Sequence, residues 1–487
     1  DGGWGWFGGC HHGSAHLTAL VIHGLQIAGQ SGVVLPEDVV RRGRECLKRY
    51  QQEQIVLLKN ASLSDEEKKH KHWKDRADEE DAFVFMVLAE QKAETLDGNT
   101  ADMLEFLQRD RGKLSPYGAA MLGIAESMLP GKHDLTPYVK ILEQYLVQDE
   151  ENQTAYLNLN RGGNWCWWAW YGSEFETQAY YLKLLMRADP KSPVAPRLVK
   201  YLLANRKHAS YWNSTRDTAI CIEAFAEFLK TTGEDKPNVT VEILIDGKIA
   251  KTVSFTPDNF LTVDNTLTLT AADVAAGGHK IEVRKREPAA CPVYITAFLE
   301  NFTLEDPIAK AGLEVKIERR LYKLVRDASA AAQTAGSRGQ VVDMKVEKFK
   351  REPLGQNAFL QSGDLVEVEL VLDSKNDYES LLIEDWKGAG LEAADVRSGY
   401  NGNDLGAYVE FRDERVVFFV HQLTRGKHSV SYRLRAEQPG EFSALPARIE
   451  AMYAPELKGN ADENKVKVKT LRHKEKRGDA GTLREFL

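Results

Sequence analysis

The densest group of chemically capable side chains is Cys10-His11-His12, followed by His16 and His23. Thiolates and neutral imidazoles are ligands for zinc, and His12 and His16, four residues apart, would share one face of a helix. A metal site needs a third and a fourth ligand, and no residues of matching spacing accompany this pair, so no metal is expected. The run Asp78-Glu79-Glu80-Asp81 would supply a general acid if it were buried. At the start of a helix it has a simpler role, because carboxylates there interact favourably with the helix dipole. Asp217 in Ser-Thr-Arg-Asp-Thr-Ala (214–219) reads the same way, with Ser214 or Thr215 as the N-cap. The five cysteines stand at 10, 46, 166, 221 and 291. Their odd number and the lack of a Cys-x-x-Cys pair argue against a disulfide framework or a zinc ribbon. The chain contains no Gly-x-Ser-x-Gly, phosphate loop or His-Glu-x-x-His, so neither a catalytic residue nor a cofactor is expected.

The elements that would position these residues change character along the chain. From 14 to about 232, five segments begin with polar or small residues and then run apolar: 14–28, 78–91, 115–129, 175–188 and 214–229. Each apolar run opens on an alanine, at Ala19, Ala82, Ala119, Ala179 and Ala219, and the intervals leave room for an intervening helix. Segments 35–52 and 193–206 follow prolines and carry apolar residues at i, i+3, i+4 and i+7, the pattern of amphipathic outer helices. Alternating inner and outer helices predict a closed α/α toroid; periodicity alone also fits an open solenoid of helix pairs. Two Gly-rich loops, 1–7 and 162–172, hold six of the nine tryptophans. They suit plugs packed between helix ends, and the alternative is a stacking surface for a ligand.

After Pro237 the period switches to two. The segment 239–255 reads as a hairpin around Asp246-Gly247. Further strands are expected at 265–270, 279–287 and 293–303, with a flexible loop of small residues between 328 and 340. Strands at 364–373, 378–386, 407–423, 428–437 and 447–455 then predict a β-sandwich. The expected fold class is therefore multidomain α + β: an α/α toroid (1–234) followed by two antiparallel β-sandwich domains (235–309 and 310–470), with a basic tail at 471–487.

The 487 residues suit about three domains. With 64 basic against 72 acidic residues, a net charge of −8 and the basic residues scattered, nucleic acid is not an expected partner. No apolar run reaches the ~18 residues needed to cross a bilayer. The opening Asp-Gly-Gly-Trp-Gly-Trp-Phe has no Met and no signal segment, and reads as the interior of a longer protein, so localisation is not read from this end.

Several stretches, in order, are similar to the C-terminal part of bacterial alpha-2-macroglobulin family proteins. They are DGGWGWF, WNSTRDTA (212–219), the VTVxIxxDGK pattern (239–248), YITAFLENF (294–302), YESLLIED (378–385), RDERVVFF (412–419), YRLRAEQPGEF (432–442) and PARIEAMYAPE (446–456). The resemblance implies a toroid of the thioester type, shared in architecture with terpenoid cyclases, then the second half of a CUB domain and a terminal macroglobulin sandwich. It also implies a broad-spectrum endopeptidase inhibitor, with target proteases as partners through the longer protein, and an extracytoplasmic location: periplasmic, secreted or membrane-tethered. A terpenoid cyclase or prenyltransferase is the alternative suggested by the toroid, but Asp78-Glu79-Glu80-Asp81 does not match a D-x-D-D proton donor.

The family's internal thioester joins Cys and Gln of a Cys-x-Glu-Gln motif, a protected acyl group that a nucleophile opens. Cys221-Ile222-Glu223-Ala224 comes nearest here, and Ala224 has no carboxamide. Methylamine, which opens such a bond, is therefore expected to leave the mass of every Cys and Gln peptide of this chain unchanged. An adduct at any of them would contradict this reading.

Overall fold

The computed structural model describes residues 2–6, 13–90, 97–159, 173–206, 211–274, 277–287, 291–297, 307–327, 332–335, 341–344 and 349–470. The chain divides into two compact units, 1–206 with 211–298, and 299–487.

The helical unit contains α1 (Ala15–Gln30), α2 (Glu37–Asn60), α3 (Asp65–Lys68), α4 (Glu79–Ala89), α5 (Gly98–Asp110), α6 (Pro116–Met128), α7 (Thr136–Glu143), α8 (Glu174–Ala188), α9 (Val194–Ala204) and α10 (Thr215–Thr232). Helices α1, α4, α6, α8 and α10 pack one against the next, while α2, α5, α7 and α9 back them from outside. The division follows composition. Residues 116–126 of α6 are all buried, as expected of a helix almost wholly of apolar and small residues, and residues 175–186 of α8 are all buried although they include Glu176, Gln178 and Lys183. In α2, burial is confined to Val40, Gly43, Leu47, Gln51, Ile55 and Leu58, a single stripe. A Cβ on Gly43 would lie 2.5 Å from Ile22 Cδ1 and 2.7 Å from Trp4, so only glycine lets α2 close on α1 and on the opening loop. Trp4 is itself packed on the core, whereas Trp6 is exposed; loop 162–172 lies outside the described residues.

Within the same unit, Val239–Ile245 pairs antiparallel with Lys248–Phe255 and with Ile281–Lys285. Asp246 and Gly247 both take positive φ, 52° and 81°, the backbone of the expected two-residue turn. The expected strand 265–270 does not form: its leucines alternate with threonines, but no ladder partner takes up the backbone among the described residues. Residues 291–297 likewise form no strand.

The second unit is a β-sandwich. One sheet has five strands in the order Phe349–Leu354, Val315–Arg326, Leu365–Ser374, Gly426–Ala436 and Leu391–Ala393. A second has seven, with Arg415–Leu423, Tyr378–Trp386 and Arg448–Ala451 at its centre, and a third, of Asn357–Gln361, Asn464–Lys469 and Gly440–Ala444, lines the same core. Alternate residues of each sheet, among them Val366, Val368, Leu370 and Leu372 against Leu381, Ile383, Phe418 and Val420, fill one core. Segment 328–340, expected to be a loop, contributes Ala332–Ala335, which pairs with Val341–Met344 as a short antiparallel ribbon. Small side chains hide a strand from hydrophobic patterning, since the ribbon is held by backbone bonds.

At the centre of the sandwich sits a buried ion pair. Arg319 donates to Asp385 at 2.7 Å, to Asn464 at 2.8 Å and to the carbonyls of Ala444, Leu445 and Trp386, and Tyr432 donates to the other Asp385 oxygen at 2.7 Å. Removing one member of such a pair leaves an uncompensated buried charge, at a cost of about 3–5 kcal/mol. Asp385→Ala is therefore expected to lower the denaturant midpoint for amide exchange in Val315–Arg326 and Leu365–Ser374 accordingly. A midpoint within error of the unsubstituted chain would show that the pair is dispensable.

Candidate functional site

The interior of the helical unit is where its ionisable groups converge. Each inner helix starts on a side-chain cap. Ser14, Ser115 and Ser214 accept from backbone N–H groups of α1, α6 and α10, and Asp78 and Ser173 form capping boxes with Asp81 and Glu176 on α4 and α8. The caps bind neighbouring helices as well as their own. Glu79 accepts from the Ser115 N–H at 2.9 Å, and Ser173 donates to Asp217. The inner helices thus start at one end of the helical unit, where α4, α8 and α10 carry carboxylates in their first turns.

Three of these groups are strongly perturbed. Glu176 is raised to about 7 by burial, although Arg216, 2.6 Å away, pulls it the other way. His16, buried beside Phe83, is lowered to about 4, first by desolvation and then by Arg216. Asp81, between Tyr50 and Lys74, is raised to about 6 by burial and by Asp78, against the pull of Lys74 at 2.7 Å.

Midway along the helices lies a second layer. His23 Nδ1 is 2.7 Å from Glu90 at the end of α4, and Nε2 is 3.0 Å from Glu223 on α10. Lys183 of α8 donates to Glu223, and Gln26 donates to Glu90 at 2.6 Å and to the Val87 carbonyl at 3.0 Å. Burial alone would push His23 down, but the bonds to Glu223 and Glu90 outweigh it and hold the imidazole at about 9. Glu223, which burial would raise, is brought down to about 2 by Lys183 and His23.

Of the residues singled out by sequence, His16 and His23 share the inner face of α1 but stand in different layers. Cys10, His11 and His12 lie outside the described residues. Asp78 and Asp81 cap α4, and Asp217 binds Ser173. Cys221 is fully buried, and burial, then Asp217 and Glu176, push its thiol far above the usual range. Thiolate is the nucleophilic form, so this cysteine is chemically quiet. Among the described residues, no group of three or more His, Cys, Asp or Glu is placed to hold a metal ion. Glu90, Glu223, Asp81 and Glu176 each have a cation beside them. Glu90 and Lys183 had no motif to mark them, since their importance depends on partners distant in sequence.

Two family descriptions match the chain in succession: "A-macroglobulin TED domain" over residues 1–228 and "Bacterial Alpha-2-macroglobulin MG10 domain" over 315–456. An alpha-2-macroglobulin homolog of Nostoc sp. is 24% identical over 315 residues, 62% of this chain and 15% of that protein. An alpha-2-macroglobulin of Thermotoga maritima is 23% identical over 271 residues, 51% and 13% respectively. Among solved structures, trypsin-activated alpha-2-macroglobulin from Escherichia coli aligns over 96% of this chain and 28% of its own, with 19% identity and a TM-score of 0.41. Salmonella alpha-2-macroglobulin reacted with methylamine aligns over 96% and 26%, with 20% identity and a TM-score of 0.34. The chain belongs to the bacterial alpha-2-macroglobulin family and represents its C-terminal region. It spans about a seventh of the length of the curated relatives it matches.

Because its thiol is buried and protonated, Cys221 is expected to react with iodoacetamide at neutral pH roughly 100-fold more slowly in the folded chain than in urea. Peptide mass spectrometry gives both rates, and equal rates would contradict the burial.

Proposed function

We propose that this chain is the non-catalytic C-terminal portion of an alpha-2-macroglobulin-like protease trap, a broad-spectrum inhibitor of endopeptidases. The observation that carries the reading is the succession of the two macroglobulin matches on one chain, thioester-type helical domain first and MG10 sandwich second. The state of the helical interior supports it. A toroid enzyme needs free acids or a reactive thiol on its axis, whereas here Glu90, Glu223, Asp81 and Glu176 are each engaged by a cation and Cys221 is buried without a glutamine partner. In this reading the working parts are a helical ring (1–234), a CUB-like β segment (235–309) and a terminal macroglobulin sandwich (310–470). They serve a rearrangement between two states with different contacts. The bait that a protease cuts, and any thioester that captures it, belong to a longer protein, which would act outside the cytoplasm.

Trypsin assayed on a large protein substrate and on a small peptide substrate separates the possibilities. The longer protein is expected to suppress cleavage of the large substrate while sparing the small one. This chain alone is expected to suppress neither, and inhibition by it would contradict the assignment.

A further inference from the structure

The inner helices do not join with equal strength around the ring. Side-by-side packing links α1 to α4, α4 to α6, α6 to α8 and α8 to α10, while α1 and α10 pack together far less closely. The outward stripe of α10 differs from those of α6 and α8 in keeping apolar residues in water: Ile222 is 56% exposed and Leu229 38%. Ala219, which the alanine register places with four fully buried counterparts, is exposed too. Where apolar packing is thin, a polar bridge spans the seam, from His23 on α1 to Glu223 on α10.

That bridge has two states. Both ring nitrogens of His23 face carboxylate oxygens, which only accept, so both must carry a proton for both bonds to exist. With His23 charged, each carboxylate has a cation in contact, His23 at Glu90 and both His23 and Lys183 at Glu223. With His23 neutral, one lone pair faces a carboxylate and that contact loses its charge pairing. Glu223 is the partner able to let go, since it keeps Lys183 and its bond to His23 is the longer, 3.0 against 2.7 Å.

We propose that His23 is the latch of the helical ring: protonated, it holds α10 to α1, and when its proton is lost the α1–α10 seam opens while α4, α6 and α8 stay packed. This device is independent of any protease chemistry. The groups that face it are Gln26 on α1, Glu90 at the end of α4, Lys183 on α8 with the Tyr180 ring under its ammonium, and Glu223 on α10; Arg44 of α2 acts on Glu90 from behind. One turn beyond, Glu227 is held by Arg187 and takes no part. The folded value of about 9 lies above the ordinary 6.5. The latch is therefore at full strength below about pH 6.5, weakens as pH rises and is lost above about 9.

Amide exchange of the full chain at pH 7 and pH 9.5, corrected for intrinsic rates, tests the latch. Opening at pH 9.5 should raise exchange in α1 and α10 by about ten-fold or more, with α4, α6 and α8 unchanged. Glu223→Gln supplies an amide whose oxygen accepts from the charged imidazole and whose N–H donates to the lone pair of the neutral one, so its seam should lose the pH dependence. His23→Gln should expose the seam already at pH 7; if that variant does not fold, the unsubstituted chain and Glu223→Gln decide the matter. Equal exchange of α1 and α10 at the two pH values, loosening of all inner helices together, or an unaltered pH response in Glu223→Gln would each overturn the proposal.

Discussion

Buried charge must be matched, and in the helical unit this requirement links α1, α4, α8 and α10 through one charged layer. An isolated carboxylate taken out of water is costly enough to shift its own protonation rather than stay charged. Glu90 and Glu223 avoid that by sharing one imidazole, and Lys183 adds a second cation at Glu223. The arrangement works only if α1, α4, α8 and α10 bring their side chains to one level. Helix length, capping and the small residues of the inner helices can thus be understood as conditions for that level to exist. Gly43, which lets α2 close on α1, is one such condition.

The sandwich solves the same problem with a different partner. Arg319 offers a planar fork, and its bonds to Asp385, Asn464 and three carbonyls satisfy the guanidinium from several strands at once. The ion pair of the sandwich joins an arginine to a carboxylate, whereas the helical unit holds an ion group whose central member is a histidine.

How much of this was legible depends on the distance over which each feature is encoded. The inner helices are written in local pattern, and the alanines at 19, 82, 119 and 179 sit in the core as their spacing implies. Ala219 keeps the spacing and loses the burial, because burial depends on what packs outside α10. The hairpin at Asp246-Gly247 is local too and forms. Strand Asn464–Lys469 escaped notice because its lysines read as a polar run, yet Asn464, Val466 and Val468 point inward and alternate with them. Segment 265–270 shows the reverse error, an alternating pattern without a neighbour to pair with. The charge layer was invisible: His23 finds its partners 67 and 200 residues away, and no spacing rule connects them.

The functional account joins a helical unit with a layer of paired buried charge, a sandwich built around an arginine–carboxylate pair and membership of a family whose matched members are several times longer than this chain. Its central claim is that these parts serve a trap whose reactive and cleavable segments lie elsewhere in one longer protein. The most direct measurement is a peptide map and intact mass of the protein isolated from its source with an antibody raised against residues 310–470. The account predicts a chain several times heavier than this one, with several β-sandwich domains ahead of residue 1. A mature, functional protein no larger than this chain would contradict it.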